Sequence, residues 1–422
     1  MITINDLLRE ARFLSQQRAT LLLILFAGLC AVFAVWSGLA EISTQRTTIE
    51  RLITADELDR HNALHTQPDY GSAAYYSFHL TYDPPSTLAF AALGERDVRP
   101  WKHRIRMLAL EGQIYETDTA NPELALAGRF DFAFVVSVLA PRFVILLLHD
   151  LYAAERVAGR HALLIVTSAH DQRLWWTRAC VRIGALALCL LIPLWAGGLI
   201  GGASVLSLLL ISLIVIAHLL IWSVLCLWLA RQNASAPVIA SWLLGIWLAL
   251  AIILPVAALT MINQAIASPK GGDIIMLQRE TVNDAWDLPK EATMTAFLAQ
   301  HPAWQDYAKI NQPFEWKWYY AFQQVGDQVA APMSQTYRDA LAQRDSVAGY
   351  AALLSPPALV QRSLSRLAET DIQAALGYEQ RVRDFHQTLR LFYYPLLFKD
   401  GAYEASVLED LPKFQANRES AL

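Results

Sequence analysis

The sequence predicts an all-α protein that crosses a membrane several times, and three observations carry that expectation. Charge is scarce: of 422 residues, 55% are hydrophobic and only 17% are Asp, Glu, Lys or Arg, where a soluble domain averages about 25%. The scarcity is concentrated, because residues 19–40, 183–230 and 232–269 carry no charge. A helix needs about 20 apolar residues to span a bilayer, so the middle stretch is long enough for two crossings and the outer ones for one each. Short Arg-rich segments punctuate these stretches, the pattern that marks the cytoplasmic face of a membrane.

From the N-terminus, Ile4, Leu7, Leu8, Ala11 and Leu14 recur at helical spacing with Arg9, Arg12 and Arg18 between or after them. Residues 1–19 therefore read as an amphipathic helix on the membrane surface. The apolar run that follows is too long for the h-region of a cleaved signal peptide. It is the first transmembrane segment, 20–40. A polar region, 41–129, comes next, with a helix expected over 41–63 and extended or irregular chain over 72–92 around Asp83-Pro84-Pro85. The second span is 130–148, interrupted by Arg142. The segment 149–182 is basic, with Arg156, Arg160, Arg173, Arg178 and Arg182 against Asp150, Glu155 and Asp171. Spans three to five fill 183–262, at about 183–200, 205–230 and 237–262, with Gly197, Gly198, Gly201 and Gly202 marking the first turn between them. The tail, 263–422, is polar again, with helices expected over 284–298, 313–343 and 357–391.

The N-terminal helix, the 149–182 loop and the Arg231 turn all fall on one side if the N-terminus is cytoplasmic. The regions 41–129 and 263–422 are then two mainly helical external domains, long enough to be exempt from the charge rule. Trp286, Trp304, Trp316, Trp318, Tyr319 and Tyr320 supply them with a modest core or an aromatic surface. All four cysteines lie in apolar segments, so no disulfide framework is implied.

Several function classes find no support in the sequence. The net charge of −4 argues against nucleic acid as a partner. There is no Gly-x-x-x-x-Gly-Lys-Ser/Thr loop, so the chain is not itself an ATPase. Neither His-Glu-x-x-His nor Gly-x-Ser-x-Gly occurs, and no catalytic or metal-binding set is assigned. His61 and His65 have a spacing that suits either a metal or a solvated helix face. Arg142 stands about 12 residues into the second span, where an ionisable side chain is costly. Two readings stand: it faces an anionic substrate, Asp131 or a partner subunit, or it snorkels to an interface. His218, alone in the fourth span, is either an interhelical hydrogen-bonding group or part of a proton path.

Three stretches carry a family resemblance. One runs from Asn121-Pro122 through Gly128-Arg129-Phe130-Asp131-Phe132. The second is the run from Asp150 through Glu155-Arg156-Val157-Ala158-Gly159-Arg160. The third combines Leu354-Ser355-Pro356-Pro357-Ala358, Leu367-Ala368-Glu369-Thr370-Asp371, Phe385-His386 and Leu411-Pro412-Lys413-Phe414. With the order of spans, these resemble the ABC-2 type permease family, in the branch with large external insertions. The resemblance implies a membrane subunit of an ATP-driven transporter in a bacterial inner membrane, with its large domains in the periplasm and export or extraction as its direction. It implies a second permease copy or a paralogue as partner, and cytoplasmic ABC ATPase subunits that hold the ATP and Mg. The 149–182 loop would couple to them through Asp150, Glu155, Arg156, Gly159 and Arg160. Two departures stand out. Arg160-His161 replace a common Thr-Leu, and five spans are visible where six are usual, so a sixth is expected beyond Leu422 or absent from this branch. Rival readings are a force-transmitting ABC complex acting on an external partner, and a membrane-embedded enzyme.

Overall fold

The computed structural model describes residues 3–116, 130–167, 171–399 and 401–416. Five of its helices are long and apolar enough to cross a membrane: Arg18–Ala63, Phe132–Val157, Arg173–Gly201, Val205–Ala230 and Ala236–Ala265. The all-α membrane architecture expected from the apolar runs is thus present, with one small sheet added.

Helix α1 (Ile4–Ser15) begins at Thr3, whose side chain caps the backbone N–H of Asp6 while the Asp6 carboxylate returns to the Thr3 backbone. Helix α2 runs unbroken from Arg18–Thr66. The composition turns polar at residue 41, but helix propensity does not change there, because no proline or cap residue interrupts Leu39-Ala40-Glu41-Ile42, and the helix expected over 41–63 continues the first apolar run without a break. The segment 72–92 is extended or irregular from Ser77 onward, as expected, but it opens in a short helix, α3 (Tyr70–Tyr76); strand β1 (His79–Tyr82) then pairs antiparallel with β2 (Lys102–Ile105) so that His79 faces Ile105 and Tyr82 faces Lys102. Helix α4 (Leu110–Tyr115) follows.

The second span is built from α5 (Phe132–Phe134), a π-helical turn at Val135–Leu139, and α6 (Ala140–Leu148); α7 (Leu151–Val157) and α8 (His161–Thr167) come after it. Helix α9 (Asp171–Gly201) starts about a dozen residues before the expected third span. Most of the basic residues of 149–182 therefore sit on the first turns of a transmembrane helix rather than in a loop. Helix α10 (Val205–Ala230) is the fourth span. The fifth is α11 (Ala236–Leu248), a second π-helical turn at Ala249–Ile253, and α12 (Leu254–Ala265).

In the tail, α13 (Gly271–Asp284) ends where a helix had been expected to begin; the Asp273 carboxylate caps the Lys270 backbone N–H at its start. The remaining helices are α14 (Lys290–Leu298), α15 (Trp316–Ala352), α16 (Pro356–Leu367) and α17 (Ile372–Phe398). The helix expected over 357–391 is thus two. Between them Glu369 takes φ +53° and Asp371 caps α17 through the Ala374 backbone N–H.

Two cores result. In the bundle, Ala27, Ala31 and Ala34 of α2 are fully buried against α9, with Gly28 in contact with Cys189 and Gly197 against Val35. Small residues on one helix face allow this close approach, as is common between membrane helices. The second core corrects the expectation of two separate domains. Tyr70, Ile105, Met107 and Leu110 from the first polar region pack with Phe297, Trp318, Tyr378, Val382 and Leu389 from the tail, forming one composite polar domain.

Helix α2 holds that domain directly. Arg60 donates to the carbonyls of Leu411 (2.6 Å) and Pro412 (3.2 Å), and Asp56 accepts from the Leu80 backbone N–H (3.0 Å). Gln45 accepts from Arg96, which also binds Asp83 at 2.6 Å; Arg381 of α17 reaches the other oxygen of Asp83, also at 2.6 Å.

Two predictions follow from this packing. A Cβ on Gly38 would stand 2.0 Å from the Phe90 carbonyl oxygen, a backbone atom that cannot swing aside. Gly38→Ala should therefore cost about 1–3 kcal/mol, seen as a lower melting temperature in detergent; an unchanged melting temperature would show that α2 and residues 88–93 are not in tight contact. The composite core also buries histidines that must stay neutral. Burial, with Arg60 and His386 nearby, pushes His79 down to about 3; burial and Arg383 push His103 down to about 4; burial and Arg390 hold His386 well below its usual value. The unfolded chain, with histidines near 6.5, takes up protons first as pH falls. The domain should keep its full stability above about pH 6.5 and lose it progressively towards pH 4 and below. Hydrogen exchange of residues 70–115 and 372–398 measures this, and protection that does not fall with pH would refute it.

Candidate functional site

The sequence candidates Asp150, Glu155, Arg156, Gly159 and Arg160 lie at the bundle end that also carries α1 and the 231–235 turn. Glu155 is 5% exposed. Its Oε1 accepts from Arg178 Nη1 (2.8 Å) and its Oε2 from Arg160 Nε (2.8 Å). Arg178 in turn donates from Nε to Glu10 Oε2 (3.0 Å), and Arg173 pairs with Asp6. The network links α1, α7 and the first turns of α9. Glu155 is therefore engaged inside the chain, with both carboxylate oxygens taken by arginines.

Arg156 is engaged too, donating from Nη2 to the carbonyls of Gln232 (2.8 Å) and Ala234 (3.1 Å) in the turn before α11. Arg182 reaches Gln17 at 3.0 Å and lies 3.7 Å from Asp150. Tyr152 stacks on Trp175 with ring centroids 4.1 Å apart. The sequence reading missed Asp6, Glu10, Tyr152 and Trp175. The acidic pair at i and i+4 on an otherwise basic helix was a signal for the first two.

Gly159 has φ +66°, and no neighbouring atom would crowd a Cβ there. Its N–H bonds the Arg156 carbonyl, and the N–H of Arg160 bonds the Glu155 carbonyl, which closes α7 in a Schellman motif. The conformation, not crowding, calls for glycine. On both sides of the turn the surface changes character: Val157 at the end of α7 is 88% exposed, and on α8 Val166 is 84% and Leu163 63% exposed. The α7–α8 corner thus presents apolar side chains at the far end of a charged clamp.

The intramembrane candidates do not converge. Arg142 places its guanidinium over the Trp247 ring of the fifth span, 3.7 Å from the centroid. Asp131 does not reach it, contrary to the pairing considered from sequence. Its oxygens accept from the backbone N–H groups of Phe134 (2.8 Å) and Leu93 (2.9 Å), capping α5 and fixing the 88–93 segment. His218 is 1% exposed, edge-on to Trp222, and neither ring nitrogen has a hydrogen-bond partner among the described residues. Among the described residues, no three His, Cys, Asp or Glu side chains gather as a metal site. The side chain of His65 lies outside the described residues, as do 121–129 of the first resemblance stretch.

The third stretch becomes a joint. Ser355 caps α16 and its Oγ donates to the Leu250 carbonyl in the fifth span's π-turn (2.7 Å). Ser137, in the π-turn of the second span, lies 3.0 Å from Gln361 Oε1 of α16. Thr370 Oγ1 donates to the Ala92 carbonyl (2.8 Å), and the Glu95 N–H donates to the Thr370 carbonyl (2.7 Å). Val360 and Leu364 join the bundle core beside Leu88–Leu93. Helix α16 is therefore a wedge from the polar domain seated between two irregular membrane helices.

Residues 274–417, about the C-terminal third of the chain, match a family described as a domain of unknown function, DUF3526. The match runs from within α13 to residue 417 and includes the wedge, but only the tail's share of the composite core. No curated protein and no solved structure matches the chain.

The clamp generates a prediction. Glu155→Gln leaves the Arg178 and Arg160 guanidinium groups beside an amide, and breaking such a buried pair costs about 3–5 kcal/mol. Hydrogen exchange over residues 4–15 should rise sharply in this variant and little in Arg160→Ala, whose side chain is 62% exposed. Equal exchange in Glu155→Gln and wild type would show that α1 is held by something else.

Proposed function

We propose that the chain is the membrane subunit of an ATP-driven transporter of the ABC-2 type, in a bacterial inner membrane with α1 on the cytoplasmic side and the composite domain outside. The observation that carries this reading is the α7–α8 corner. Exposed Val157, Leu163 and Val166 form an apolar edge suited to a protein partner, and the ion pairs behind it join that edge to α1 and α9. A separate ATPase pressing on this corner moves the N-terminal helix and the third span together. ATP and Mg belong to that ATPase, and a second copy or a paralogue completes the permease. Arg142 over Trp247 ties the second span to the fifth, so a displacement of one carries to the other.

A second reading is favoured by the seating of α16. A wedge hydrogen-bonded to the π-turns of two spans passes bundle motion to the external domain, as a force-transmitting complex requires.

The test is purification of the full-length chain from mild detergent, with mass spectrometry of co-purifying proteins and an ATPase assay, beside a Val157→Asp/Val166→Asp variant. Co-purification of an ATPase subunit with the wild type and its loss from the variant are expected. No ATPase partner in any of several mild detergents would overturn the reading. Cargo movement in vesicles holding only this complex separates a transporter from a force-transmitting device.

A further inference from the structure

The last turns of α15 lie along the outer half of the fifth span. At one end of this contact Arg344 donates to the Ile266 carbonyl, just past α12, from Nη2 (2.7 Å) and Nε (3.1 Å). At the other end Ser355 Oγ donates to the Leu250 carbonyl (2.7 Å). The helix Ala236–Ala265 has 30 residues, and Leu250 stands at its middle. From Leu250 to Ile266 the rise is about 24 Å at 1.5 Å per residue, against a hydrocarbon core about 30 Å thick. A bilayer crossed by this helix therefore has its mid-plane near Leu250. The corner between α15 and α16, Leu353-Leu354-Ser355, lies at that depth.

The composition and backbone of the corner suit hydrocarbon. Residues 346–361, between Asp345 and Arg362, carry no charge. The stretch is shorter than the roughly 20 residues of a span, and Ser355-Pro356-Pro357 bends it in two. An unpaired backbone N–H in hydrocarbon is costly, and a helix start ordinarily leaves several of them. Here each is bonded or missing. The N–H groups of Leu353, Leu354 and Ser355 donate to the carbonyls of Tyr350, Ala351 and Ala352. Pro356 and Pro357 have no N–H. Ala358 donates to Ser355 Oγ (3.2 Å) and Leu359 to the Ser355 carbonyl (2.9 Å). Across the mouth of the bend, Asp345 of α15 pairs with Arg362 of α16 at 2.5 Å.

The outer face of this bend is bare. Val347 is 44% exposed, Tyr350 73%, Leu353 64% and Leu354 67%. Their spacing of i, i+3, i+6 and i+7 puts them on one side of α15. The fifth span beside them exposes Ile252, Ile253, Val256 and Leu259. One apolar surface thus runs from a membrane-spanning helix onto a helix of the polar domain.

We propose that residues 346–361 form a re-entrant hairpin that dips from the side of the polar domain to the middle of the bilayer, and that Val347, Tyr350, Leu353 and Leu354 are its contact surface for lipid acyl chains. The proposal needs only that the fifth helix crosses a bilayer; it stands or falls separately from the ATPase partner.

The experiment uses the full-length chain in nanodiscs, with Cys30, Cys180, Cys189 and Cys226 replaced by alanine and one new cysteine carrying a nitroxide. Power saturation compares collisions with oxygen, which concentrates in hydrocarbon, and with a nickel chelate, which stays in water. Val256→Cys on α12 is the membrane reference, and Thr336→Cys, farther out on α15, is the water reference. Tyr350→Cys, Leu353→Cys and Leu354→Cys are expected to match Val256→Cys, with oxygen collisions exceeding nickel and the excess largest at 354. Val347→Cys should fall between the two references. Nickel excess at 350, 353 and 354 would overturn the hairpin. Nickel excess at Val256→Cys would overturn it too, by removing the crossing on which it depends. Low collision rates with both reagents, with spin–spin broadening between copies, would overturn lipid as the occupant and assign the patch to a subunit interface. Where a label at 353 or 354 unfolds the chain, Tyr350→Cys at the most exposed of the four positions decides.

Discussion

The continuity of α2 governs the rest of the structure. At 1.5 Å per residue, its 49 residues reach roughly 74 Å, more than twice the hydrocarbon thickness of a bilayer. Its first half supplies the small-residue face on which α9 packs, and its second half supplies Gln45, Asp56 and Arg60 to the composite domain. The domain therefore takes its place from the same rigid element that organises the bundle. Were the helix broken at residue 40, the domain would hang on a hinge and the other connections would have to fix its orientation alone.

Those other connections run through α16 and residues 88–95. The wedge α16 meets the second and fifth spans at their π-turns, where backbone carbonyls are displaced from the regular ladder and open to outside donors. Ser355 uses one of them. Residues 88–95 dip into the bundle beside it and are fixed by Asp131, Thr370 and the contact under Gly38. The polar domain and the bundle are thus fastened on two sides, by a rod and by a wedge. At the opposite end, the Glu10–Arg178–Glu155–Arg160 chain fastens the surface helix. Charges do that work at one end and backbone hydrogen bonds at the other, because the α1 end is rich in Arg while the wedge sits among apolar helices.

The sequence disclosed what depends on local composition. The apolar runs located all five long helices, since length and hydropathy alone make a span possible. Gly159 was readable as a bend because positive φ singles out glycine. The polarity change at residue 40 reports a change in the surroundings of α2, not its end, and the helix expected over 41–63 is its second half. Glu155 was visibly charged and its partner Arg160 is close in sequence, but its other partner, Arg178, lies 23 residues ahead on α9 and leads through Glu10 to a point 145 residues back on α1. No local pattern encodes such pairings. The merging of two polar regions into one core was hidden for the same reason: Tyr70 and Tyr378 read equally well as surface or interior until the fold brings their segments together.

That merged core has a consequence for how the protein is made. Chains are synthesised from the N-terminus, and domains generally fold as units in that order. Residues 70–115 emerge with half a core and must wait while four more membrane helices are inserted before α14, α15 and α17 exist to complete it. During that interval Tyr70, Ile105, Met107 and Leu110 have no apolar partners from the tail. The newborn chain thus carries an unfinished, sticky surface through the whole of membrane insertion. Assembly of the composite domain then has to follow the insertion of those helices, and a chain truncated anywhere in α17 leaves the inserted helices in place beneath a domain that cannot close.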